Sequence, residues 1–149
     1  MWYTVKRIIH TLDDYYMELQ TQNIKGRILI VDDDIFLLDM YALKFKQQGY
    51  EVSSATDAHI ALSKLKNGEQ PDIILLDIAM PNMDGFEFME AMQKEQLGQS
   101  SIKIVLSNMG DQADVERGNA LGAFTYIVKA NNTPSEVVEK VASILLKKK

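Results

Sequence analysis

The stretch Ile28-Leu29-Ile30-Val31-Asp32-Asp33-Asp34 decides the fold: four aliphatic residues in succession end abruptly on three carboxylates. An apolar run of this length reads as a strand buried on both faces, the signature of a parallel sheet. Three further runs end the same way. Ile73-Ile74-Leu75-Leu76 stops at Asp77, Ile104-Val105-Leu106 at Ser107, and Tyr126-Ile127-Val128 at Lys129. Ligands of open parallel sheets sit just beyond the carboxyl ends of the strands. The four run ends therefore predict one crevice lined by an acid cluster, a lone carboxylate, a hydroxyl and an ammonium group.

Helix signals lie between the runs. Asp34 caps a helix over roughly 35–48, with Phe36, Leu37, Met40, Leu43 and Phe45 as its buried stripe and Gly49 as its stop. Residues 50–54 read as a short second strand, and Asp57 opens a second helix carrying Ile60, Ala61, Leu62 and Leu65 to near Gly68. A third strand over 72–77 leads through the breaker-rich turn Met80-Pro81-Asn82-Met83-Asp84-Gly85 into a third helix, which buries Phe86, Phe88, Met89 and Met92 and closes at Gly98. The fourth strand is 102–107. Residues 111–121, small, polar and interrupted by Gly118, predict the weakest helix. After Gly122 the fifth strand covers 124–128, and Thr133-Pro134-Ser135-Glu136 starts a last helix that buries Val137, Val138, Val141, Ile144 and Leu145. Five β–α units predict an α/β fold over 27–149: a doubly wound, flavodoxin-like, five-stranded parallel sheet with helices on both faces.

Residues 1–20 stand outside that pattern. Trp2, Val5, Ile9, Leu12, Tyr16 and Leu19 recur at spacings of three and four, with Ile8 and Tyr15 widening the stripe. This is an amphipathic helix with a near-heptad seam, joined to the sheet by a linker over 21–26. Fewer than three heptads are too short to be stable alone, so the helix is expected to pack on its own sheet, on a second copy or on a further domain.

The bulk numbers narrow the setting. A chain of 149 residues, 46% hydrophobic, fits one domain with a modest extension. It has no cysteine, which excludes disulfides and thiolate metal sites and suits a reducing, cytoplasmic compartment. No apolar stretch reaches the length of a membrane span, and the first residues do not read as a signal peptide. The net charge of −5 argues against nonspecific nucleic-acid binding, and the whole excess lies in 27–149 because Lys6, Arg7 and Lys25 balance Asp13, Asp14 and Glu18. Lys147-Lys148-Lys149 reads as a solvated helix end whose cations complement the dipole.

The side chains at the run ends suit magnesium-assisted phosphoryl transfer onto a carboxylate. Magnesium is a hard cation held by one or two carboxylates plus phosphate oxygens. Asp33 and Asp77 are the obvious metal carboxylates, with Asp32 supporting them directly or through water. Three carboxylates crowded together raise at least one pKa unless a cation joins them. Asp77 is the candidate nucleophile, since a carboxylate can form an acyl phosphate. Lys129 would offset charge on the transferring group, and Ser107 would hydrogen-bond one of its oxygens.

In these motifs the chain resembles the receiver domains of response regulators, the phospho-accepting half of two-component signalling. The resemblance rests on Ile30-Val31-Asp32-Asp33-Asp34, on Leu75-Leu76-Asp77-Ile78-Ala79-Met80-Pro81-Asn82-Met83-Asp84-Gly85, on Leu106-Ser107 and on Tyr126-Ile127-Val128-Lys129, and it covers about 27–147. It implies phosphorylation of Asp77 by a histidine kinase or phosphotransfer protein. It also implies Mg2+ bound by Asp33, Asp77 and the backbone carbonyl of Ala79. Ser107 would move toward the phosphate, and Tyr126 would swing inward with it. Such a domain catalyses only its own phosphorylation and dephosphorylation. With no output segment after residue 147, output is expected through protein contacts: with a downstream effector, or with a second copy through the N-terminal helix or the face of the fourth helix, fifth strand and fifth helix.

Three departures from the family pattern stand out. Ala130 follows Lys129 where the family usually has Pro after a cis peptide, so a trans bond and a strained cis bond are both open. Asn108 replaces the small residue common after the hydroxyl. Ala79 and Met109 occupy positions that tune the approach of hydrolytic water. Ala brings no polar group there and Met shields the site, which predicts slow self-dephosphorylation.

Plainer readings apply elsewhere. Asp34 and Asp84 are helix caps, and His59 is a surface residue. His10 faintly resembles a phosphotransfer histidine but reads better as a surface residue of the N-terminal helix. Two rival functions remain. A phosphoaspartate hydrolase would carry a second Asp where Ala79 stands. A phosphate-independent scaffold would have no need of the intact acid set.

Overall fold

The computed structural model describes residues 11–19 and 23–148. Five parallel strands, β1 (Arg27–Val31), β2 (Glu51–Ala55), β3 (Ile73–Leu76), β4 (Ile102–Ser107) and β5 (Ala123–Val128), lie in the order β2-β1-β3-β4-β5. They alternate with α1 (Ile35–Gln47), α2 (Ala58–Lys66), α3 (Gly85–Glu95), α4 (Gln112–Ala120) and α5 (Pro134–Lys148). This is the doubly wound α/β fold expected from the sequence.

The strand runs are apolar throughout because both faces are covered. Ile28, Ile30, Ile73, Leu75, Ile104 and Leu106 pack with α1 and α5, whereas Leu29, Val31, Ile74, Leu76 and Val105 pack with α2 and α3. Helix starts are set by aspartates: Asp34, Asp57, Asp84 and Asp111 accept from the amides of Leu37, Ile60, Glu87 and Asp114. Each such cap contributes about 1 kcal/mol. The first three follow the expectation, and the cap at Asp111 is additional.

Helix α4 has only Gly118 fully buried. It is tied to α3 instead, with the Arg117 guanidinium 4.4 Å from the Phe86 ring centroid and 3.5 Å from Glu90 Oε1. The Gln93 side-chain amide also donates to the Leu121 carbonyl at the end of α4.

Two helix faces depart from the expected stripes. In α1, Leu38, Tyr41, Ala42 and Phe45 are buried, while Phe36 is 78% and Leu43 57% exposed. The buried set keeps the i, i+3, i+4, i+7 period but is rotated away from the two large apolar residues, because Tyr41 and Ala42 also fit the core. In α2, Ala58 takes the core position and Ile60 is exposed. Ile144 of α5 is only partly buried.

No cis peptide occurs among the described residues. The Lys129–Ala130 bond is therefore trans, and Lys129–Asn131 forms a single 3-10 turn. Asn132 closes that turn, its side-chain amide donating to the Val128 carbonyl at 2.9 Å.

Residues 11–19 are helical. Trp2, Val5, Ile8, Ile9 and His10 lie outside the described residues. The chain enters the sheet through Lys25, whose amide donates to the Gly49 carbonyl at 3.1 Å. Gly26 follows, packed so tightly that a Cβ there would stand 2.4 Å from Leu145 Cδ2.

Candidate functional site

Strand register gathers the site. Val31 pairs with Leu76, Leu76 with Val105, and Ser107 with Val128. The next residues along these strands, Asp32, Asp77 and Lys129, therefore emerge with Ser107 at the carboxyl edge of the sheet. Asp32 is 3%, Asp77 6% and Ser107 0% exposed, while Asp33 is open to solvent. Carboxylate oxygens of Asp32, Asp33 and Asp77 lie within 4.8 Å of one another. The Lys129 ammonium reaches across them, 2.8 Å from Asp32 Oδ2 and 3.3 Å from Asp77 Oδ2.

Burial and charge compete here. Burial raises the Asp32 carboxyl pKa above its ordinary value, and the Lys129 hydrogen bond only partly offsets the rise. Burial alone would lower the Lys129 ammonium, but hydrogen bonds and charge from Asp32 and Asp77 overcome it and hold the pKa above that of a free lysine. Among the described residues, the cluster is thus an anionic pocket with Lys129 as its cation. Three clustered oxygens with one open side fit a hard divalent ion.

Backbone amides orient the acids. The Asp34 amide donates to Asp32 Oδ1 at 2.9 Å, and the Ile78 amide to Asp77 Oδ1 at 2.8 Å. Beyond Asp77 the chain turns through exposed Ala79, and the Gly85 amide returns to the Ile78 carbonyl at 2.9 Å. Across the crevice, Ser107 Oγ accepts from the Met109 amide at 3.2 Å. The half-buried Tyr126 hydroxyl donates to the Met109 carbonyl, and the Tyr126 ring lies against Gly118 of α4. Burial, then the Asp114 charge, raises the Tyr126 pKa. Asn108, Met109 and Ala130 are exposed around the rim, and His59 is exposed near the start of α2.

Two contributors were not visible in the sequence. Tyr41 is buried close enough to feel the charges of both Lys129 and Asp32, and it belongs to the α1 face that differs from the expected stripe. Asn132 braces the turn after Lys129 through a backbone carbonyl, for which no side-chain pattern gives a sign.

The chain is similar to known proteins. The model of the response regulator receiver domain matches residues 28–142. The chain is 36% identical over 122 residues to a probable transcriptional regulator, ycf27, of Cyanophora paradoxa, covering 81% of this chain and 48% of the relative. It is 30% identical over 119 residues to the phosphate regulon transcriptional regulatory protein PhoB of Escherichia coli K12, covering 80% of this chain and 51% of that protein. The chain thus spans about half the length of the curated relatives it matches. Among solved structures, a CheY-like receiver domain protein from Methanospirillum hungatei JF-1 has a TM-score of 0.73 at 32% identity, covering 81% of this chain and 94% of that one. The chemotaxis response regulator CheY4 of Vibrio cholerae has a TM-score of 0.71 at 29% identity, covering 80% and 98%. With the sheet order, the acid cluster and the family match in agreement, the chain belongs to the response-regulator receiver domains, which are signalling switches.

Proposed function

We propose that this receiver domain takes a phosphoryl group onto Asp77 from a phosphohistidine on a histidine kinase or phosphotransfer protein, and changes its protein-binding surface in response. The observation that carries the reading is the clustering of Asp32, Asp33 and Asp77 oxygens within 4.8 Å beneath the Lys129 ammonium. An Asp77 oxygen attacks phosphorus. The O–P bond forms as the P–N bond to the donor imidazole breaks, and the imidazole keeps the bonding pair. Asp33, Asp77 and the Ala79 carbonyl would hold Mg2+, with Asp32 in support, and the ion when bound would neutralise charge on the phosphoryl oxygens. Lys129 exchanges its contact with Asp77 for a phosphoryl oxygen. Ser107 Oγ, which accepts from the Met109 amide, would turn its hydroxyl proton toward another of those oxygens.

The signal has a route outward. Ser107 and Tyr126 both bond to Met109, so a shift of Ser107 toward the phosphate displaces the loop in which the Tyr126 hydroxyl is anchored. Helix α4 follows that loop, and elements with little buried area move at least cost. A downstream protein effector would read the face of α4, β5 and α5. No helix among the described residues is long and apolar enough to cross a membrane.

The test is intact mass after incubation with a small phosphodonor and Mg2+. One phosphate adduct is expected on the native chain and none on Asp77→Asn. If the native chain stays unmodified and also fails to bind beryllofluoride, the domain is a phosphate-independent scaffold.

A further inference from the structure

Lys129 reaches both buried acids from a short turn. Lys129–Asn131 is a single 3-10 turn, whose last backbone bond, from the Asn132 amide to the Lys129 carbonyl, is 3.3 Å long. Turns of this kind have poor hydrogen-bond geometry, and Ala130 brings no ring to fix the backbone. The ammonium nevertheless sits 2.8 Å from Asp32 Oδ2 and 3.3 Å from Asp77 Oδ2. A buried ion pair holds only where its geometry is well kept, so this turn needs support from outside its own backbone.

Asn132 supplies that support with both ends of its side chain. Its Nδ2 donates to the Val128 carbonyl at 2.9 Å, four residues back, where a helix would place a backbone amide. Its Oδ1 accepts from Lys140 Nζ of α5 at 2.6 Å. Chemistry fixes the orientation of the amide, because a carbonyl only accepts and an ammonium only donates. Both anchors are firm. Val128 pairs with Ser107 in the sheet, and it packs so closely on Gly110 that a Cβ there would stand 2.8 Å from Val128 Cγ2. The start of α5 is held by a reciprocal cap, in which Thr133 Oγ1 accepts from the Glu136 amide at 3.2 Å and Glu136 Oε1 from the Thr133 amide at 3.4 Å.

We propose that Asn132 is a positioning residue for phosphoryl transfer: by tying the end of β5 to Lys140 of α5, it holds the Lys129 ammonium where a phosphoryl oxygen on Asp77 meets it. The proposal rests on the reading of Asp77 as phosphoacceptor. A side-chain amide suits the task because it donates at one end and accepts at the other. Aspartate keeps the bond to Lys140 but sets a carboxylate oxygen against the Val128 carbonyl, and alanine makes neither bond. A misplacement of about 1 Å can cost about 100-fold in rate, so a turn beside the chemistry matters as much as the cation it carries.

Two measurements on the full chain test this, with the unfolding midpoint of each variant as the control for folding. The first needs no phosphate. With isotope-labelled lysine and no metal, the largely buried Lys129 ammonium should give an NMR signal in slow exchange with water, assigned by its loss in Lys129→Met. Asn132→Ala and Asn132→Asp should speed that exchange about tenfold, the effect of one lost hydrogen bond on an opening equilibrium. Lys140→Met, a change at an exposed residue, should speed it about threefold. The second measurement is phosphorylation of Asp77 by a small phosphodonor with Mg2+. Asn132→Ala should slow it about tenfold in the native background and less than about twofold on Lys129→Met, since a residue acting through Lys129 has nothing left to place. The same loss in both backgrounds marks a merely structural role and overturns the proposal. So does a Lys129 signal unchanged in the Asn132 variants and in Lys140→Met. A native chain that takes up neither phosphate nor beryllofluoride overturns the phosphoacceptor reading, and with it the role in phosphoryl transfer, whatever the exchange shows.

Discussion

Gly85 stands so close to Asp77 that a Cβ on the glycine would lie 2.3 Å from the Asp77 carbonyl oxygen and 2.8 Å from Ile78 Cα. Both obstacles are backbone, so neither yields by a rotamer change. The start of α3 and the end of β3 are thereby held at a separation that only glycine permits. Gly85→Ala should destabilise the domain by about 2–4 kcal/mol and slow phosphorylation of Asp77. Urea unfolding and phosphorylation rates check this; a variant within 0.5 kcal/mol of the native chain, roughly the scatter of ordinary surface changes, would show that the turn can open freely.

Lys129 is the cation shared by two buried carboxylates, and it is itself largely buried. Lys129→Met should cost about 2–4 kcal/mol in chelator, because buried charge loses its partner. Added Mg2+ should recover part of the loss, since a metal supplies positive charge at the same oxygens. Phosphorylation should nevertheless fall by about 100-fold, as one stabiliser of the phosphoryl oxygens is gone. Unfolding curves with and without Mg2+ read both effects, and equal stability of the two chains in chelator would refute the first.

The raised pKa of Asp32 gives a signed pH dependence. Its ordinary value is 3.8, and the folded state holds the proton above that. Between the two values the folded chain binds more protons than the unfolded one, so stability falls as pH rises through this window. Asp32→Asn cannot ionise and escapes the loss. It should match the native chain below pH 3.8 and exceed it at neutral pH in the absence of divalent ions. A urea midpoint measured against pH decides; a gap that does not change with pH would be fatal. Lys129 acts at the other extreme. Its folded pKa lies above 10.5, so its stabilisation is complete below that value and is lost as alkaline pH passes the folded one.

Hydrolysis of the acyl phosphate should be slow, with a half-life of minutes or longer. The exposed Ala79 side chain offers water no hydrogen-bond partner, and the exposed apolar Met109 lies two residues after Ser107. Ala79→Asn should accelerate loss of label, and Met109→Ala should add to it. Phosphate release followed over time settles the matter, a native half-life of seconds being incompatible with it.

Sequence carried the strands and the acids because doubly buried runs leave no doubt about where they stop. Asp32, Asp77, Ser107 and Lys129 each end one, and the structure brings all four to a single edge. Helix faces were harder to read. Phe36 and Leu43 are apolar yet exposed, while Tyr41 and Ala42 took the core positions, because rotation of a helix is settled by what it meets and not by its own composition. Links made through backbone leave no side-chain trace. Met109 joins Ser107 to Tyr126 with its amide and carbonyl, which any residue would supply. Ala130 left the preceding bond open, and the trans form leads directly into the turn braced by Asn132.

The four aspartate caps have an effect beyond helix initiation. Helices α1 to α4 all begin where strands end, so Asp34, Asp57, Asp84 and Asp111 lie along the same edge as the three acids of the cluster. Helix dipoles neutralise the caps only in part. An anionic small donor must therefore approach against a repulsive field, one that dissolved salt weakens. A donor protein with basic residues around its phosphohistidine meets the same field as attraction. Under the proposed function, the caps that start the helices would therefore sort donors by charge, favouring a basic donor protein over small anionic phosphates.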